Sequence, residues 1–112
     1  MIDEYLQSKL EQVKKACQAN QVLRLYAFGS IVDGRFEKGR SDIDLMVEFD
    51  TAKFTKKDNA KHLLKLWIAL QAILKTKVDL ITNENIEGEH FKKYLELYKE
   101  KLYDRSTYTS LG

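Results

Sequence analysis

Apolar side chains recur every three or four residues from Ile2 to about Ala19, at Ile2, Tyr5, Leu6, Leu10, Val13 and Cys17, the pattern of a helix with one buried stripe. Val22 to Phe28 is dense in branched and aromatic residues and runs into Gly29-Ser30, which predicts a strand ending in a tight turn. From Asp42 to Phe49 the period changes to two. Asp42, Asp44, Met46 and Glu48 alternate with Ile43, Leu45, Val47 and Phe49, as in a half-buried strand. The stretch between, Asp33 to Ser41, is polar, holds Gly34 and Gly39, and reads as a loop.

Thr55 with Asp58 three residues later marks a helix start. Leu63, Leu64, Trp67, Ile68, Leu70, Ile73 and Leu74 give that helix a wide apolar face, with Trp67 assigned to the core. Val78 to Thr82 predicts a short third strand, and Phe91, Tyr94, Leu95, Tyr98 and Leu102 predict a last helix from Ile86 to about Tyr103. If the turn after Ser30 becomes a short helix, the order is α-β-α-β-α-β-α, an α/β (α+β) class. Residues 1–103 form one domain, and 104–112 read as a polar tail.

With 112 residues, of which 44% are apolar and 32% charged, the chain has room for one domain with a modest core. Nineteen basic against seventeen acidic residues leave a net charge of +2, so electrostatics alone give no strong nucleic-acid signal. Apolar runs are short and Met1-Ile2-Asp3-Glu4 lacks the order of a signal peptide, which predicts a cytoplasmic protein without a membrane segment. Cys17 is the single cysteine and sits at helical spacing from Leu10 and Val13, so it reads as packing. His62 and His90 have no second ligand at helical spacing and take surface or structural roles.

Candidate chemistry centres on Ser41-Asp42-Ile43-Asp44-Leu45. Residues two apart on a strand share a face and stand roughly 7 Å apart, so both carboxylates project together and repel unless a cation joins them. Mg²⁺ takes such oxygen ligands when substrate phosphates complete its shell, and two ions roughly 4 Å apart serve phosphoryl and nucleotidyl transfer. Upstream, Gly29-Ser30 after a strand offers backbone N–H groups and a hydroxyl to phosphate oxygens. Downstream, Asp79 lies inside the apolar run Lys77-Val78-Asp79-Leu80-Ile81, where a carboxylate needs a metal, a cation or water. Each feature alone is ordinary: a solvated strand face, a turn, an edge ion pair. Their combination is far more specific.

Phe28-Gly29-Ser30, the glycine-bearing basic loop, Ser41-Asp42-Ile43-Asp44-Leu45 and Val78-Asp79-Leu80 together resemble the minimal nucleotidyltransferase family of the DNA polymerase β superfamily, over nearly the whole chain. The resemblance implies the nucleotidyltransferase fold, a small mixed sheet of about three strands packed with helices. It implies that Gly29 and Ser30 hold a triphosphate, with Arg35 and Ser41 as further nucleotide contacts. Asp42 and Asp44 would bind two Mg²⁺ ions, and Asp79 would complete one metal site beside the attacking hydroxyl. The implied reaction moves AMP from ATP to a hydroxyl, and the implied partner is a HEPN-type toxin whose tyrosine is modified, the chain acting as antitoxin. Two other readings stay open: transfer to a small molecule or an RNA end, and a non-catalytic subunit that masks its partner. The loop from Ile31 to Ser41 is slightly longer than the family's usual spacing, and Asp33 stands before Gly34 where the family commonly has arginine, with Arg35 after it.

Overall fold

The structure, a computed structural model, describes residues 1–108. Helix α1 (Glu4–Ala19) is capped by the Asp3 carboxylate, which accepts the Tyr5 N–H, and leads into strand β1 (Val22–Phe28). Gly29 then turns the chain into the four-residue helix α2 (Ser30–Asp33). After the loop come β2 (Ile43–Phe49) and the long helix α3 (Lys56–Leu74), whose start is the reciprocal Thr55–Asp58 capping box expected from the sequence. Strand β3 (Val78–Thr82), a short 3₁₀ turn, helix α4 (Glu89–Tyr98) and strand β4 (Glu100–Asp104) complete the order.

The sheet has four strands in the order β3-β2-β1-β4. β1 runs antiparallel to both β2 and β4, whereas β2 and β3 are parallel, so the sheet is mixed as expected. Its two faces differ. On one, Leu6, Val13 and Cys17 of α1 and Leu66, Leu70 and Leu74 of α3 pack with Leu25, Ala27, Ile43, Leu45, Val47 and Val78 in the main core. On the other, Leu95 of α4 covers Phe28 and Met46, flanked by Tyr26 and Ile81. The alternation along β2 therefore sends its odd-numbered residues into the main core and its even-numbered residues, Asp42 and Asp44 among them, towards the α4 side. Burial pushes the Cys17 thiol up to about 12, which agrees with a packing role.

Two expectations need correction. The last helix does not reach Tyr103. It ends at Tyr98, Lys99 turns to extended backbone, and Leu102 and Tyr103 lie in β4. Leu102 has helical spacing from Leu95 and Tyr98, but pairing along β1 satisfies that strand's second edge and buries both residues more fully. The same strand carries its pairing past residue 103. Asp104 closes β4, the Arg105 N–H continues the ladder to the Leu23 carbonyl, and the Tyr108 ring lies 5.4 Å from that of Tyr103. The remainder of the predicted tail, residues 109–112, lies outside the described residues.

The second correction concerns α3. Its buried stripe is Leu66, Leu70 and Leu74, with Leu63 and Ile73 packed partly against the core beside it, while Trp67 is 38%, Leu64 57% and Ile68 56% exposed. A helix lying on a sheet covers only one such stripe, so the wide apolar face read from the sequence divides into core and surface. Trp67 is half-covered because its indole N–H donates to the Val78 carbonyl at 2.9 Å. No described helix is long and apolar enough to cross a membrane.

Leu102→Ala removes a side chain that is 5% exposed and is expected to cost about 2–4 kcal/mol in urea unfolding. Leu97→Ala, at 73% exposure on α4, is expected to fall within about 0.5 kcal/mol of the parent. Equal effects at the two positions would contradict β4.

Candidate active site

The acids are brought together by strand pairing. In the parallel register, Asp44 of β2 is the direct partner of Asp79 of β3, so the two side chains leave the same face from strands about 4.8 Å apart. Asp42 lies two residues before Asp44 and shares that face. Asp79 alternates with Val78 and Leu80, which enter the main core, and is followed by Ile81 on the α4 side. All three carboxylates thus stand on the face that α4 partly covers, with Asp42 and Asp79 exposed and Asp44 half-buried.

Electrostatics record the crowding. Partial burial, then the charges of Asp79 and Asp42, push the Asp44 carboxyl up to about 6. The one cation paired with the group among the described residues is Lys77, whose Nζ stands 3.6 Å from Asp42 Oδ2 at the exposed rim. Among the described residues, no cation is paired with Asp44. Among the described residues, no three His, Cys, Asp or Glu side chains converge closely enough to enclose an ion by themselves. The arrangement suits a hard cation held by one or two carboxylates while a substrate supplies other oxygens, the usual habit of Mg²⁺.

The glycine turn lies against this cluster. Phe28, the last residue of β1, pairs with Asp44, so Gly29 falls directly beside the acid. At φ 76° Gly29 occupies backbone space that other residues enter only with strain, and a Cβ there would collide with the Asp44 carboxylate. Its carbonyl accepts the N–H groups of Val32 and Asp33 to start α2, leaving Ser30 at the head of the helix. Gly29 and Ser30 are therefore brought next to the acids.

Arg35 and Ser41 are held differently. The Arg35 guanidinium is paired with Asp33, through Nη2 at 2.6 Å and Nε at 2.9 Å, and faces solvent. The Ser41 hydroxyl accepts the Glu37 N–H at 3.0 Å and so fastens the loop. One residue at the site was not signalled by the sequence. Tyr94 of α4 places its hydroxyl 3.0 Å from the Gly29 nitrogen and accepts that N–H. Helical spacing put Tyr94 on a partly covered helix face but could not say which end of the sheet that face meets. His62 rests edge-on against Phe54, with ring centroids 5.0 Å apart, and His90 is exposed near the start of α4.

The sequence model of the nucleotidyltransferase domain matches residues 10–103, which include all three acids and the glycine turn. A Methanocaldococcus jannaschii protein named as a candidate protein adenylyltransferase is 38% identical over 76 residues, covering 68% of this chain and 72% of that protein. The structure of a protein described as a candidate minimal nucleotidyltransferase superposes with a TM-score of 0.64 at 25% identity, over 89% of this chain and 95% of that one. A complex of a tri-AMPylated Shewanella oneidensis HEPN toxin with its MNT antitoxin contains a chain with the same fold, at a TM-score of 0.55 and 19% identity, over 89% and 73% of the two chains. With the acids and the turn inside the matched span, the chain belongs to the nucleotidyltransferase domain family.

Proposed function

We propose that this nucleotidyltransferase moves AMP from ATP to a tyrosine hydroxyl of a HEPN-type toxin partner and thereby acts as its antitoxin. The observation that carries the reading is the register Asp44↔Asp79, which sets two acids side by side with Asp42 on one sheet face against the Gly29 turn. The name of the archaeal relative supports protein adenylylation, and the AMPylated toxin in the Shewanella complex supports the acceptor.

In this reading Asp42 and Asp44 would hold Mg²⁺ together with the ATP phosphates, and Asp79 would complete the set on the acceptor side. Bound Mg²⁺ supplies charge neutralisation at the α-phosphate and on the departing pyrophosphate. Ser30, with the N–H groups that follow Gly29, grips the triphosphate tail and brings the α-phosphorus to the acids. Asp79, exposed on β3, orients the incoming hydroxyl and accepts its proton as the oxygen–phosphorus bond forms and the α–β anhydride bond breaks. Arg35 joins the phosphates on leaving Asp33, and Ser41 on releasing the Glu37 N–H.

Incubation with α-labelled ATP, Mg²⁺ and the HEPN-type partner is expected to label a tyrosine of that partner, with no label in EDTA. Label appearing only in an RNA or a small molecule would reassign the acceptor, and neutralisation of the partner by an Asp42, Asp44 and Asp79 triple asparagine variant would favour masking.

Asp44→Asn is expected to reduce transfer by about 1000-fold or more, because several kcal/mol of charge stabilisation depend on the carboxylate. The same variant should be more stable than the parent at pH 7.5 in EDTA. Asp44 holds its proton more tightly folded than unfolded, so its ionisation opposes folding. The expected gain is on the order of 1 kcal/mol after allowing for solvent screening of a part-exposed group, and it should vanish near pH 4, where the parent keeps its proton in the fold. Thermal unfolding at the two pH values reads both effects.

A further inference from the structure

Tyr94 lies on α4, 65 residues from Gly29 in sequence, yet its hydroxyl accepts the Gly29 N–H at 3.0 Å. Gly29 thus has the Tyr94 oxygen at its nitrogen, and the Asp44 carboxylate fills the space that a side chain at this position would need. The tyrosine ring is itself fixed. It stacks on Phe91 with centroids 6.2 Å apart and an interplanar angle of 9°, and Phe91 meets Phe28, the residue before Gly29, edge-on at 5.7 Å. Aromatic packing therefore registers α4 against the end of β1, and a single polar contact carries that register to the turn.

We infer that Tyr94 is a positioning residue for nucleotidyl transfer: its hydroxyl sets where the Gly29–Ser30 turn stands relative to Asp44. The inference rests on the AMP-transfer reading, since it concerns the alignment of a phosphate held by the turn with the acids beside it. In-line attack tolerates little error, and a misplacement of about 1 Å costs on the order of 100-fold in rate. Tyr94→Phe removes the oxygen and keeps the ring. The Gly29 N–H then has no hydroxyl to meet, and the turn is free to shift against Asp44 while the packing of Phe28, Phe91 and the ring persists. Phe91→Leu does the reverse, thinning the aromatic packing and leaving the hydroxyl.

The experiment measures kcat, KM for ATP, thermal unfolding and hydrogen exchange at the Gly29 amide in the parent, Tyr94→Phe and Phe91→Leu. Tyr94→Phe is expected to lose about tenfold or more in kcat, with KM changed less than about threefold. Its Gly29 amide should exchange faster, and its Tm should stay within about 2 °C of the parent. Phe91→Leu is expected to lower Tm and to lose clearly less kcat than Tyr94→Phe, because the hydroxyl that meets the Gly29 N–H is kept. Tyr94→Phe with parental kcat, or with an unchanged Gly29 exchange rate, overturns the inference. So does an equal kcat loss in Phe91→Leu, which would assign the effect to helix packing. A parent protein that transfers no AMP removes the functional reading and this inference together; a parent and a Tyr94→Phe protein that transfer equally well remove the inference alone.

Discussion

Three like charges on one face of the sheet repel one another, and the rest of the molecule is arranged around that repulsion. The parallel pairing of β2 with β3 forces Asp44 and Asp79 to adjacent positions, and the alternation along β2 adds Asp42. Asp44 bears most of the strain, since it is the least exposed of the three and its carboxyl is pushed up to about 6. An isolated cluster of this kind works against folding. It persists because the opposite face of the same strands carries the main core, where Ile43, Leu45, Val47, Val78 and Leu80 meet α1 and α3. One face supplies cohesion and the other holds charge, and the strict alternation of strand side chains keeps the two apart.

The glycine turn follows from the same geometry. Asp44 needs space beside the end of β1, and Gly29, lacking a Cβ, leaves it. Charge cluster and turn are consequently two sides of one packing solution, and a larger residue at position 29 would displace the carboxylate whatever its effect on backbone conformation.

Much of this arrangement follows from local pattern. The period of two along β2, the helical periods of α1 and α3 and the Thr55–Asp58 capping box are short-range features, and each element formed where its residues indicated. Long-range choices were harder. Strand β4 owes its existence to pairing with β1 73 to 80 residues away, as in Leu25↔Tyr103, and nothing between Glu100 and Asp104 distinguishes it from the end of a helix. Trp67 was misplaced because apolar composition does not reveal which stripe of α3 faces the sheet. For the site, the acids could be named individually, but their convergence depended on the register of β2 and β3. A slip of one residue would have turned Asp79 into the core. Tyr94 was hidden for a related reason: a helical period gives a face, and only tertiary packing decides what that face meets.

The half-covered Trp67 has an optical consequence. It is the only tryptophan in the chain, and its indole N–H is bonded to the carbonyl of Val78, the residue immediately before Asp79. The Val78 N–H is in turn accepted by the Gln71 side chain of the same helix, so α3 guards this end of the sheet's edge strand. The intrinsic fluorophore of the protein is therefore coupled to the strand that presents the outermost acid. Any event that shifts that strand changes the indole's polarity and quenching, and the molecule carries its own spectroscopic reporter without a label.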